Sequence, residues 1–163
     1  MGLEHRSHFL RAADTSPGEA LCFDWSEIEL ATASYLRFAY VPVFRFAAPT
    51  PVITTGINKA VEDDLQLALE VERWPILVVR GTNLKRRLEP LGPLDDAYLQ
   101  TLKALGQYKS VSSSALFAEV GHKLQAGTIG KTAWINRLNR LFEMGLITRI
   151  KIGKEYQYEL IQI

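Results

Sequence analysis

Short apolar runs and amphipathic segments alternate through the first half of the chain. Glu19–Asp24 (EALCFD) follows Pro17-Gly18, a turn signal, and predicts a strand. Ala31–Ala39 (ATASYLRFA) places Leu30, Ser34, Phe38 and Tyr35 at helical spacing, and Pro42 predicts a break or a kink near Val41. Pro51–Thr55 (PVITT) is β-branched and suits a strand. Asn58 is a good N-cap. Val61, Leu65, Ala68 and Leu69 follow at a 3–4 period, with Glu62 and Asp63 near the first turn, so a helix is expected over Lys59–Glu72. Pro75–Val79 (PILVV) reads as a strand covered on both faces. Strands alternating with helices predict a small, mostly parallel sheet.

The rhythm changes after Gly81–Leu94 (GTNLKRRLEPLGPL). That stretch holds two glycines and two prolines without sustained periodicity, and it reads as a linker with a domain boundary near residue 90. Two domains are therefore expected, 1–90 and 91–163. Asp95-Asp96 opens a helix with Tyr98, Leu99, Leu102 and Leu105 as its apolar set, closed by Gly106. Ser112–Ser114 cap a second helix, Ala115–Val120. The three-glycine connection Gly121–Gly130 leads to a third helix, Lys131–Met144, stopped by Gly145. Leu146–Ile152 and Glu155–Ile163 flank Gly153-Lys154 as a β-hairpin. The expected fold class is thus α/β, a small and mostly parallel sheet with helices, followed by an α+β winged helix-turn-helix.

Composition excludes several alternatives. The 163 residues are 47% apolar and 23% charged, too apolar for disorder to be the main description. No run of about 18 apolar residues exists, so no membrane span is expected, and the opening MGLEHRSHFLRAAD has no signal-peptide core. A cytoplasmic protein is expected. The formal charge of +1 conceals a split: residues 1–94 carry a net −2 and residues 95–163 a net +3. From Lys103 to Lys154 there are nine basic residues against Glu119 and Glu143. Such asymmetry points either to nucleic acid or to a solvated helix face.

Helical geometry shows where those charges stand. At 100° per residue, Ile135, Leu138, Leu141 and Phe142 fall on one side of the third helix, with Trp134 at the edge. Thr132, Ala133, Asn136, Arg137 and Arg140 fall opposite. Arg can donate two bonds to guanine and Asn can exchange two with adenine. Lys131 and Thr132 at the helix start suit phosphates. In the hairpin, Arg149, Lys151 and Lys154 suit backbone phosphate or the minor groove. Tyr156 and Tyr158 share one strand face and read as core or rim.

The stretch LNRLFEMGLITRIKIGKEYQYEL at Leu138–Leu160 resembles the third helix and wing of many bacterial winged-helix regulators. That resemblance implies either DNA binding or a protein-contact module. The segments Leu21–Leu36 (LCFDWSEIELATASYL) and Pro51–Leu69 (PVITTGINKAVEDDLQLAL) together resemble the STAS-like superfamily, nearest to its uncharacterised bacterial branch. In phospho-switched members of that superfamily a partner kinase modifies a serine within Asp-Ser at a helix start. Here Thr32 and Ala33 stand at those positions with Ser34 one step later, so the acceptor is out of register and Ser34 or Thr32 would have to substitute. Asp24 and Ser26 read as capping and turning residues.

Nothing in the sequence predicts catalysis. His5 and His8 have an i, i+3 spacing that could face one metal, but they read as a frayed terminus. His122 stands in a glycine-flanked loop without a nucleophile. Cys22 reads as a small hydrophobe inside a strand. Asp63-Asp64 and Glu70/Glu72 read as a solvated helix surface. Gly121, Gly127 and Gly130 do not make a phosphate loop, and no cofactor is expected. The expected function is a non-enzymatic regulator of transcription that binds double-stranded DNA through its winged helix and contacts a protein partner through its STAS-like part. A homodimer or larger complex would supply specificity. The alternative is an adaptor subunit of a bacterial regulatory or defence complex, with an ATPase or kinase as partner and a winged helix that joins protein.

Overall fold

The structure is a computed structural model that describes residues 2–14, 20–81, 85–121 and 130–162. The chain is mixed α/β and divides into two compact units, Met1–Leu94 and Asp95–Gln162. Expectations about His122 and most of the Gly121–Gly130 connection lie outside the described residues.

The first unit runs α1 (Gly2–Asp14), β1 (Leu21–Asp24), α2 (Ala33–Tyr35), a π-helical segment (Leu36–Tyr40), α3 (Val41–Ala47), β2 (Val52–Thr55), α4 (Lys59–Glu72), β3 (Ile76–Arg80) and β4 (Arg87–Leu91). Its sheet has the order β1-β2-β3-β4, parallel at the first two pairings and antiparallel at the last. The α4 bounds follow from its cap: Asn58 Oδ1 accepts from the Val61 N–H at 3.0 Å. Val61, Leu65, Ala68 and Leu69 are buried against Val52, Ile76 and Val78 of the sheet. Each large aliphatic side chain so covered contributes roughly 1.5–3 kcal/mol.

Aromatic packing completes this core. Tyr40 is fully buried, its ring centroid 4.6 Å from that of Trp25, 5.0 Å from Phe44 and 5.4 Å from Phe9. Its hydroxyl meets buried Thr54 Oγ1 at 2.9 Å, so the polar end is satisfied where burial would otherwise cost free energy.

Of the break or kink expected near Val41, the helical run shows no break but a distorted segment, and three other expectations for this unit need correction. Proline removes one N–H and crowds the carbonyl four residues back. The π segment just before it, with the Val41 N–H donating to Leu36 O, lets the helical run continue to Ala47. Part of the supposed linker is a strand, because β4 pairs with β3 and Pro90 lies opposite Leu77. β4 is an edge strand, where a missing donor is tolerated. The terminus holding His5 and His8 is helical, and its Phe9 packs on the aromatic core. Cys22 points outward from edge strand β1 instead of packing inside. Partial desolvation, then the Asp24 carboxylate, raise its pKa and keep it a thiol.

The second unit runs α5 (Asp96–Leu105), β5 (Val111–Ser112), α6 (Ser113–Leu116), a π-helical segment (Phe117–Gly121), α7 (Lys131–Glu143), β6 (Ile147–Ile152) and β7 (Glu155–Leu160). Its sheet has the order β5-β7-β6 and is antiparallel throughout. The two-residue strand β5 carries too little pattern to have been expected. Leu105, Leu116, Trp134, Leu138, Leu141, Leu146, Ile147 and Tyr158 are almost wholly buried. Gly145 at φ +71° ends α7, and its N–H reaches Phe142 O while that of Leu146 reaches Leu141 O. This pairing satisfies carbonyls at the helix end and needs a residue that adopts positive φ freely.

Candidate nucleic-acid interface

The orientation of α7 decides which of its polar residues meet solvent. Trp134, Leu138 and Leu141 are buried, while Ile135 and Phe142 are half-buried. The inward face is therefore centred on Trp134, Leu138 and Leu141, turned slightly from a stripe centred on Ile135. A bulky indole fills more of the interior than an isoleucine can. Opposite that face, Thr132, Asn136 and Arg140 are exposed at i, i+4 and i+8, and Lys131 is exposed at the helix start. Such spacing makes one continuous stripe.

The predicted cations divide into two groups. Arg140, Lys131, Lys151 and Lys154 are exposed. Arg140 lies 3.4 Å from Glu143 in an exposed i, i+3 pair, which holds it weakly. Arg137 is half-buried, its guanidinium 5.7 Å from the Trp134 ring centroid. Arg149 is different. Its guanidinium lies 4.0 Å from the Phe142 ring centroid and 4.2 Å from that of Tyr156, and it donates to Asn139 Oδ1 at 2.8 Å. The Tyr158 hydroxyl donates to the same oxygen at 2.8 Å. Arg149 is thus a brace between α7 and the hairpin. Its placement does not match the open phosphate ligand expected from its position among wing cations.

Asn139 as the hub of that brace was missed, as was an apolar pair on the hairpin. Ile150 is 56% exposed and Ile152 61% exposed. Strand alternation sends Arg149 and Lys151 to one face and Ile150 and Ile152 to the other. The period-2 pattern was present in ITRIKI, but without a fold it does not say which face lacks a partner. Tyr158 is core and Tyr156 rim. Burial raises the Tyr158 phenol pKa, against the opposing pull of Arg149.

The remaining site expectations fall in the first unit. Thr32 caps α2, its hydroxyl accepting from the Tyr35 N–H at 3.3 Å, and Ser34 is exposed within the first turn. Asp24 Oδ1 accepts from the Ser26 N–H at 3.0 Å, so it turns the chain as expected. The α4 carboxylates are not merely solvated. Asp64 accepts from the Ala33 N–H at 3.0 Å, and Glu72 pairs with Arg37 and Arg45. His5 Nδ1 lies 2.8 Å from the Tyr35 hydroxyl. Among the described residues no group of three His, Cys, Asp or Glu is placed to hold a metal ion. No helix among them is long and apolar enough to cross a membrane.

No known protein family, curated protein or solved structure matches this chain.

Proposed function

We propose that Asp95–Gln162 binds duplex DNA as a winged helix, with α7 in the major groove and the β6–β7 hairpin as wing. The observation that carries this reading is the exposed stripe Thr132–Asn136–Arg140 on a helix whose other side is anchored by Trp134, Leu138 and Leu141. Lys131, Arg137, Arg140, Lys151 and Lys154 would neutralise phosphate. Asn136 and Arg140, with Arg137 at the edge, would read base edges. Such binding is electrostatic first, so affinity falls steeply between about 50 and 200 mM salt. One unit of this size reads few base pairs, and a homodimer or larger complex supplies the rest. The first unit, which resembles STAS-like domains, serves as the contact for a protein partner.

The test is a salt titration of random-sequence duplex, followed by fluorescence anisotropy, on the full chain and on an Arg140→Ala/Lys154→Ala variant. Losing two phosphate contacts lowers the salt slope by roughly two. An unchanged slope and affinity in the variant overturn the assignment.

Exposed Ile150 and Ile152 favour a second reading, in which the wing joins a protein such as an ATPase or kinase. That adaptor reading expects duplex affinity to be negligible at physiological salt. It also expects Ile150→Asp/Ile152→Asp to abolish complex formation with the partner.

A further inference from the structure

The first unit contains a cleft of about 490 Å³, within the size range of small-molecule sites. It opens beside the carboxyl end of β1, between α1 and the Asp24–Thr32 connection. Its walls are aromatic: Phe9, Phe23, Trp25 and Tyr35 line it, and Ile28 and Leu30 stand at the mouth. Among the described residues, Asp24 is the one carboxylate and His5 the one imidazole that line it, with His5 Nδ1 2.8 Å from the Tyr35 hydroxyl.

Three observations say what would fill it. The rim is held open. Asn58 Nδ2 donates to Ile28 O at 3.0 Å and to Glu29 O at 2.9 Å, and the Ile28 N–H donates to Trp25 O at 2.9 Å. These bonds fix the loop backbone, yet Leu30 remains 80% exposed and Ile28 42% exposed. Apolar side chains fixed at the mouth of an apolar cleft suit an apolar ligand body. The connection beside the cleft is acidic. Asp24–Leu30 (DWSEIEL) holds three carboxylates and no cation, of which Asp24 lines the cleft and is steadied through Oδ1 by the Ser26 N–H. Finally, aromatic walls next to a carboxylate are the arrangement that attracts organic cations, because ring faces and the anion act together.

We propose that this cleft binds a small organic cation, an aromatic or alkylated ammonium, with Asp24 facing its charge and Phe9, Phe23, Trp25 and Tyr35 enclosing its apolar body. The inference concerns the first unit alone and stands or falls independently of duplex binding.

Isothermal titration calorimetry on the full chain tests it with three probes of similar size: benzyltrimethylammonium, benzyl alcohol and phenylacetate. The ammonium is expected to saturate with a Kd below about 1 mM, and phenylacetate to show no binding. Asp24→Asn weakens the ammonium by about tenfold. Because Asp24 also turns the chain, a rim pair provides a second measure. Leu30 is far too exposed to support the fold, so Leu30→Lys weakens the ammonium and Leu30→Glu strengthens it, each by a few-fold at low salt. Absence of saturation by the ammonium, equal binding of phenylacetate, or indifference to the Leu30 pair overturns the proposal.

Discussion

Arginine does opposite work in the two units. In Met1–Leu94, Arg37 and Arg45 both meet Glu72, Arg80 meets Glu62 and Glu89, and Arg87 meets Glu89. These pairs tie the π-helical segment, α3 and β3 to α4, and β3 to β4. In Asp95–Gln162 the ion pair among the described residues is Arg140–Glu143, within one helix and open to solvent. Among its described residues the second unit closes its core without ion pairs, and of its cations Arg149 and Arg137 pack on aromatic rings. A net charge of +3 there is therefore surplus to folding, whereas the ten basic residues of the first half are largely balanced by its twelve acidic ones. Counting charges along a sequence does not separate these uses, and pairing does.

The comparison breaks most visibly if the aromatic core of the first unit is not what holds it. Tyr40→Ala removes a fully buried ring that packs on Phe9, Phe23, Trp25 and Phe44. It is expected to cost about 3–5 kcal/mol in urea unfolding monitored by near-ultraviolet circular dichroism. A loss below about 1 kcal/mol would show that the cluster is loosely packed. Duplex affinity measured below the unfolding transition should stay unchanged, since the stripe on α7 belongs to the other unit.

The same residue gives the next effect, through pH. Burial raises the Tyr40 phenol well above its ordinary value, and the bond to Thr54 only partly opposes this. The folded state therefore keeps a proton that the unfolded state releases above about pH 10. Stability is complete below that point and falls as pH rises, by about 1.4 kcal/mol at pH 11 from this group alone. Tyr40→Phe should flatten that part of the decline. Identical alkaline slopes in the two proteins would show that Tyr40 titrates normally.

How much of this was legible in the sequence depends on whether a feature is local. Asn58 and the Val61–Leu69 period place α4 at its observed bounds, because cap and apolar face lie within one segment. Gly153-Lys154 places the hairpin turn for the same reason. The helix at Gly2–Asp14 is weakly apolar, and it is recognisable only once Phe9 has a tertiary partner. β4 was hidden because Pro90 argues against strand, and only its pairing with β3 shows that it lies at an edge. On α7 the exposed stripe was readable from the helical period. The fate of Arg149 was not, since Phe142 and Asn139 of α7 and Tyr156 of β7 converge on it from two other elements.

Arg149 offers a smaller but sharper test. Arg149→Ala removes two ring contacts and leaves Asn139 with one donor, at an expected cost of about 1–2 kcal/mol in thermal or urea unfolding. Arg149→Lys should not restore it, because an ammonium cannot lie flat between two rings and donate in the same plane. Neither variant should alter the salt slope of duplex binding once measured below its unfolding transition, whereas Arg140→Ala should lower that slope by about one. A fall in slope with Arg149→Ala would return this arginine to the phosphate-contacting group.

The smallest expected effect isolates the exposed pair on α7. Glu143 lies 3.4 Å from Arg140, and both side chains are more than half exposed. Water screens such a pair, so Glu143→Gln should change stability by no more than about 0.5 kcal/mol in either direction. Its effect on binding has a definite sign. Glu143 draws Arg140 away from a phosphate and places a negative charge beside the backbone, so removing it should raise duplex affinity by about two- to five-fold at low salt, with the gain shrinking as salt rises. Anisotropy titrations at two ionic strengths read both predictions. If affinity stays level while stability falls, the pair is structural like those of the first unit, and the contrast between the two uses of arginine fails at Arg140.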